Sequence, residues 1–272
     1  MTRRIGVCSW SLRPRSPADL VDKVRACGLD AVQLALTPLC REVELLDSML
    51  AALGESGIAV RSGMMSTIGE DYSTLETIRE TGGLRPDALW EENLALARDV
   101  SRAAVRAGVP LVSFHAGFLP EARGSRERAT MIARLRSVAD VFAQAGVRIA
   151  LETGQERAEV LLEVLAELER PSCGVNFDPA NMILYDMDDP VEALAQLAPR
   201  IFQVHVKDAR RTKAPGTWGE EVPVGQGQVD WQGFLRVVRD ERVDVDWMIE
   251  RESGDRRVED VRAARALLTP SA

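Results

Sequence analysis

Residues 147–169 read VRIALETGQERAEVLLEVLAELE. The first part is a short apolar run closed by Thr153 and Gly154, and the second is a longer stretch whose apolar residues recur with helical period. The pair reads as a strand followed by a helix, with the carboxylate of Glu152 at the strand's end. A charged residue closing a run otherwise fit for burial needs a partner.

The same unit recurs on both sides. Upstream, RIGVCSW (4–10) precedes PADLVDKVRACG (17–28), whose Leu20, Val21 and Val24 share a helical face before Gly28. AVQLAL (31–36) precedes a helix in which Leu46, Met49, Leu50 and Leu53 repeat at i, i+3, i+4 and i+7. IAVRSGMM (58–65) leads through a polar loop to the amphipathic stretch 87–108, and PLVSFHAG (110–117) leads to a helix over 125–145. Downstream, SCGVNFDPAN (172–181) precedes PVEALAQLA (190–198). RIFQVHVKD (200–208) and VDWMIERE (245–252) precede helices over 231–240 and 258–268. A helix after every strand implies a parallel sheet of the α/β class. Eight such units in 272 residues fit a closed (β/α)8, or TIM, barrel better than an open sheet, with one domain spanning 1–272. The loops over about 64–86 and 208–230 are long for a compact domain, and both follow strands, so they are expected at the C-terminal mouth of the barrel.

Composition narrows the function classes. With 46% hydrophobic residues the chain can bury a large core. Its 42 acidic and 34 basic residues are interspersed, and a net charge of −8 does not attract nucleic acid or anionic lipid. Cys8, Cys27, Cys40 and Cys173 form no CxxC pair and read as reduced thiols of a cytoplasmic protein. The start, MTRRIGVCSWSL, has too short an apolar run for a signal peptide, and nothing approaches the ~18 apolar residues needed to span a bilayer.

In such a barrel the chemistry gathers at the C-terminal strand ends. Strands five to eight end in succession on Glu152, Asp178, His205 and Glu250. Three carboxylates converging on one mouth repel one another unless a cation neutralises them, so the set predicts one divalent metal. Oxygen ligands with a single imidazole and no thiolate favour Mn²⁺, with Mg²⁺, Co²⁺ or Zn²⁺ as alternatives. Each residue also has an ordinary role open to it: an arginine partner for Glu152, an Asx turn or helix N-cap for Asp178, and a core position for His205, while Glu250 competes with Glu252. A purely structural account must explain four such residues in register at one face.

Further candidates surround this set as substrate contacts. His115 ends strand four ahead of Ala116 and Gly117, which leave room for a ligand. Trp10 ends strand one as an apolar wall or as ordinary core, and Arg211 offers a planar fork of donors. Asn181 and Lys207 are expected to hold substrate hydroxyls.

The segments LETG, NFDPAN, HVKDARR, VGQGQVDW and MIERE, in this order, resemble the xylose isomerase-like barrels, also called AP endonuclease family 2. That family includes ketose 3-epimerases, inosose isomerases and dehydratases, hydroxypyruvate isomerase and endonuclease IV. The resemblance spans nearly the whole chain. It implies that Glu152, Asp178, His205 and Glu250 bind one metal, that Glu152 and Glu250 move the substrate's carbon-bound proton, and that Arg211, six residues after His205, contacts substrate. Two positions depart from the epimerase pattern: Asn181 stands where those enzymes carry a histidine, and Gln33 where strand two often ends near a glutamate. The nuclease branch uses three metals and more histidines than the two present. Relatives are often dimers or tetramers, so the resemblance allows a homodimer or homotetramer, and the apolar helix faces do not separate barrel packing from an interface.

These readings converge on a sugar isomerase or epimerase that transfers a proton alpha to a carbonyl through a metal-stabilised ene-diolate. The partner is a small polyhydroxylated carbonyl compound. A dehydratase acting through the same residues and a non-catalytic sugar-binding barrel are the alternatives.

Overall fold

The computed structural model describes residues 4–268. Its strands are β1 (Ile5–Cys8), β2 (Ala31–Ala35), β3 (Ala59–Met64), β4 (Leu111–Phe114), β5 (Arg148–Glu152), β6 (Cys173–Phe177), β7 (Ile201–Val206), β8 (Asp208–Arg210), β9 (Glu220–Val222) and β10 (Asp246–Ile249). Eight of them, all but β8 and β9, form a closed parallel barrel in which each pairs with the next, and β10 closes on β1 by setting Trp247, Met248 and Ile249 against Ile5, Gly6 and Val7. The helices are α1 (Pro17–Ala26), α2 (Val43–Glu55), α3 (Leu75–Thr81), α4 (Trp90–Ala107), α5 (Arg126–Gln144), α6 (Ala158–Leu168), α7 (Pro179–Leu184), α8 (Pro190–Leu197), α9 (Trp231–Asp240) and α10 (Arg257–Leu268). Among the described residues no helix is long and apolar enough to cross a membrane.

Local chemistry starts the helices where the sequence pattern puts them. Ser16 caps α1 by accepting from Asp19 N, with Pro17 as the first helical residue, and Asp189 and Asp230 cap α8 and α9 in the same way. The apolar faces then pack on the barrel, where Leu20, Leu53, Phe142 and Phe234 are fully buried. Each such side chain contributes about 1.5–3 kcal/mol relative to exposure.

The mouth of the barrel carries more structure than the sequence pattern suggests. The 208–230 loop contains an antiparallel hairpin pairing β8 with β9, from Asp208 opposite Val222 to Arg210 opposite Glu220. Asp208 organises it: its buried carboxylate accepts from the backbone N–H groups of Ala209, Gly225, Gly227 and Val229 and from Trp231 Nε1. A Cβ at Gly227 would stand 2.0 Å from Asp208 Oδ1, so the glycine is what lets the loop approach that carboxylate. The 64–86 loop holds α3, and Asp178 is followed at once by the six-residue α7. Gly117 does not leave ligand space beyond His115: a Cβ there would lie 2.3 Å from Gly82 O, so the loops after β3 and β4 pack backbone to backbone.

Candidate metal centre and cavity

Glu152, Asp178, His205 and Glu250 meet at the C-terminal end of the barrel, each no more than 3% exposed. One ligand atom from each lies within 4.8 Å of the others. His205 Nδ1 is 3.3 Å from Glu152 Oε1, 3.5 Å from Glu250 Oε2 and 3.9 Å from Asp178 Oδ2. His205 Nδ1 and Asp178 Oδ2 are buried with no hydrogen-bond partner. Orphaned atoms of this kind are costly unless something else satisfies them, and a divalent ion fits the donor set.

The other ring nitrogen shows which side of the ring is left to face an ion. Gln33 donates through Nε2 to Gly63 O at 3.1 Å and Ser113 Oγ at 2.7 Å, which fixes its Oε1 as an acceptor. His205 Nε2 lies 2.7 Å from that oxygen and donates its proton to it. Burial opposes charge on this ring, but Cys8, Glu152 and Glu250 raise it well above its ordinary value in the metal-free protein, so a bound ion would take the place of the proton on Nδ1. Gln33 sits at a register shift between β2 and β3, and Asn176 at one between β6 and β7. A bulge of this kind re-aims a side chain. Asn176 Nδ2 donates to Glu152 Oε2 at 3.3 Å, Gln203 Nε2 to Asn176 Oδ1 at 3.2 Å, and Ser62 Oγ to Gln203 Oε1 at 2.5 Å. This polar layer supports the ligands from below, and the sequence signal for it is an amide inside each of three apolar runs, AVQLA, CGVNF and IFQVHV.

Asp178 fills two roles on separate oxygens. Oδ1 caps α7 by accepting from Ala180 N and Asn181 N, while Oδ2 is the orphan facing His205. Between Glu250 and Glu252, the structure puts Glu250 in the cluster, and Glu252, with half its side chain exposed, on the outer side of Lys207. Both oxygens of Glu250 are held, Oε1 by Trp10 Nε1 at 2.8 Å and Oε2 by Lys207 Nζ at 2.9 Å.

Charge is divided unevenly among the carboxyls of the metal-free protein. Burial pushes Glu250 up, but Lys207 and His205 outweigh it and hold the carboxyl well below its usual range. Burial likewise opposes charge on Glu152, and the nearby His115 and His205 bring it below its ordinary value. Asp178 goes the other way: burial, reinforced by the negative charge of Glu250 and Glu152, raises it well above the usual carboxylate range despite Lys207. Burial works against the Lys207 ammonium too, and Glu250, Glu252 and Asp178 keep it charged.

A cavity of about 540 Å³ opens in front of this cluster, lined among others by Trp10, His115, Asn181, Lys207 and Glu250. Trp10 lies in the turn just beyond β1, so it is cavity wall and hydrogen-bond donor to Glu250 together. His115 Nε2 is 3.5 Å from Glu152 Oε1, and Asn181 Nδ2 donates to the same oxygen at 3.0 Å. Arg211 stands apart: its guanidinium pairs with Asp186, its backbone N–H donates to Gln228 Oε1, and it is not among the cavity's lining residues. Glu70, Tyr72 and Trp218 do line the cavity. They come from the two long loops, whose path no local pattern reveals.

The sequence profile of the xylose isomerase-like TIM barrel family matches residues 21–270. Uncharacterized protein YihM of Escherichia coli (strain K12) is 31% identical over 224 residues, which are 80% of this chain and 61% of that protein. The 3-dehydroshikimate dehydratase of Bacillus anthracis is 28% identical over 131 residues, 42% of this chain and 46% of that one. The matches thus span less than two thirds of the length of these curated relatives. Among solved structures, a xylose isomerase domain protein from Planctomyces limnophilus superposes with a TM-score of 0.87 at 29% identity, over 98% of this chain and 95% of its own. The 3-keto-D-glucoside 4-epimerase YcjR of E. coli shares the fold at a TM-score of 0.74 and 16% identity, over 98% of each chain.

Proposed function

For a chain that belongs to the xylose isomerase-like TIM barrel family, as this one does, we propose proton transfer at the carbon beside a carbonyl in a small polyhydroxylated substrate, an isomerase or epimerase reaction. The observation that carries the proposal is the pair of buried carboxylates, Glu152 and Glu250, flanking the orphaned His205 Nδ1 behind a cavity of sugar-binding size. Glu152, Asp178, His205 and Glu250 would hold the divalent ion, Mn²⁺ first among the candidates. When bound, it supplies positive charge that polarises a carbonyl oxygen.

The remaining steps belong to the chain's own residues. Glu250 lines the cavity and is held as an anion with both oxygens oriented, so it takes the carbon-bound proton as general base. Glu152, behind His115 and Asn181, is the second acid-base group: it takes up a proton from solvent and returns it at the same carbon or its neighbour, while Glu250 releases the abstracted proton to solvent. Lys207 and Asn181 orient these carboxylates and offer donors to substrate hydroxyls.

A dehydratase reading has its own support in the buried Lys207 ammonium, a proton source beside Glu250, and in the dehydratase relative. One set of spectra separates the two. Ketoses, inososes and hydroxypyruvate incubated with Mg²⁺-loaded protein in deuterated water should show α-proton exchange by NMR, lost in Glu250→Gln and Glu152→Gln. A new alkene signal in place of exchange selects dehydration, and undiminished exchange in both variants overturns the acid-base assignment.

A further inference from the structure

The cavity in front of Glu250 adjoins a second space. A groove of about 310 Å³ lies between the starts of α1 and α2, and Trp10, Ala35 and Pro38 line both it and the main cavity. Its walls are chiefly apolar: Leu20, Leu34, Leu39 and Met49 are buried beneath it, while Leu45, in the first turn of α2, is 44% exposed. Trp10 joins the two spaces. Its indole N–H is fixed on Glu250 Oε1, so the reacting carboxylate anchors the ring that forms the shared wall.

The two spaces differ in chemistry. Glu250, Lys207 and Asn181 give the inner one charge and hydrogen-bonding groups suited to a polyol, whereas the groove offers the exposed Leu45 and Pro38 and the half-buried Pro14 and Pro17 above that buried floor, with Arg15 and Ser16 also lining it. A compact polyol held at Glu250 leaves that surface in water, and covering it is favourable in proportion to the apolar area removed.

We infer that the substrate carries an apolar substituent, with the polyhydroxylated ring at Glu250 and an apolar aglycone passing over Trp10 into the groove between α1 and α2. This rests on the reading of the inner cavity as a sugar site.

The test is calorimetric titration of Mg²⁺-loaded protein with methyl and with phenyl β-D-glucopyranoside, in wild type and in Leu45→Glu. Leu45 is exposed and outside the reacting cavity, so the variant should fold and keep its metal affinity. The phenyl glycoside should bind at least about tenfold more tightly than the methyl one in wild type, and the preference should vanish in Leu45→Glu. Three results overturn the inference: no phenyl preference, including no measurable binding of either glycoside; a preference that survives Leu45→Glu; or a change of oligomeric state in Leu45→Glu by light scattering without a glycoside preference, which would make the groove a seat for a second copy. A missing preference with α-proton exchange on ketoses intact removes the aglycone alone. A preference without any proton exchange removes the catalytic reading and leaves the groove's occupant standing.

Discussion

Replacing Gln33 by methionine should weaken metal binding although Gln33 touches no ion. The near-isosteric side chain removes the acceptor 2.7 Å from His205 Nε2 and the donor to Gly63 O. The ring then loses the contact that keeps its proton on Nε2, and the tautomer with Nδ1 protonated, which has no lone pair for an ion, becomes accessible. Loss of such an orienting partner costs about 10- to 100-fold in metal affinity, or about 1.4–2.7 kcal/mol. The metal-free fold should lose stability as well, since each buried group left unpaired costs about 1–3 kcal/mol. Calorimetric titration with Mn²⁺ gives the first quantity and urea unfolding in chelator gives the second. If stability falls while Mn²⁺ affinity stays within a factor of two or so of wild type, the orienting argument is refuted.

Two predictions concern the surroundings of the site. Asp208→Ala orphans four backbone N–H groups and the Trp231 indole, so urea unfolding should show a loss of at least about 3 kcal/mol, with early proteolytic cleavage in the 208–230 segment; an unchanged midpoint would contradict the anchoring role. Glu156 is buried with Oε1 unpartnered, and burial, with the charges of Asp188 and Glu152, raises its carboxyl to about 8. Because the folded group keeps its proton while the unfolded one has lost it, the wild type loses stability as pH rises from the ordinary carboxylate range to about 8. Glu156→Gln lacks this loss, so its advantage should grow by up to about 1.4 kcal/mol per pH unit in that window. Unfolding curves at several pH values in chelator check it, and parallel profiles would rule it out.

The parts of this molecule written in local pattern were readable from the chain. Runs such as VRIALETG and the helical repeats after them report burial directly, so the eight units and their parallel order follow. Glu152, Asp178, His205 and Glu250 stood out because each closes an apolar run at the end where barrels do chemistry. What stayed hidden depends on tertiary neighbours. β8 and β9 are three residues each, held by Asp208 and its donors and not by apolar alternation. Arg211 carries the right chemistry for substrate, but Asp186, 25 residues away in sequence, takes its guanidinium. Trp10 offered two readings on its own, and only the approach of Glu250 from the last strand joins them. Gln33 looked like a departure from a family pattern, and its role emerges once β2 and β7 face each other across the barrel.

The central claim is one divalent ion held by Glu152, Asp178, His205 and Glu250, with the histidine bound through Nδ1. Crystals grown with Mn²⁺ and measured at the manganese absorption edge test it directly. One anomalous peak among these four side chains, facing Nδ1 while Nε2 stays on Gln33, is the predicted result. The absence of a peak there, or a peak on the Nε2 side, would contradict it.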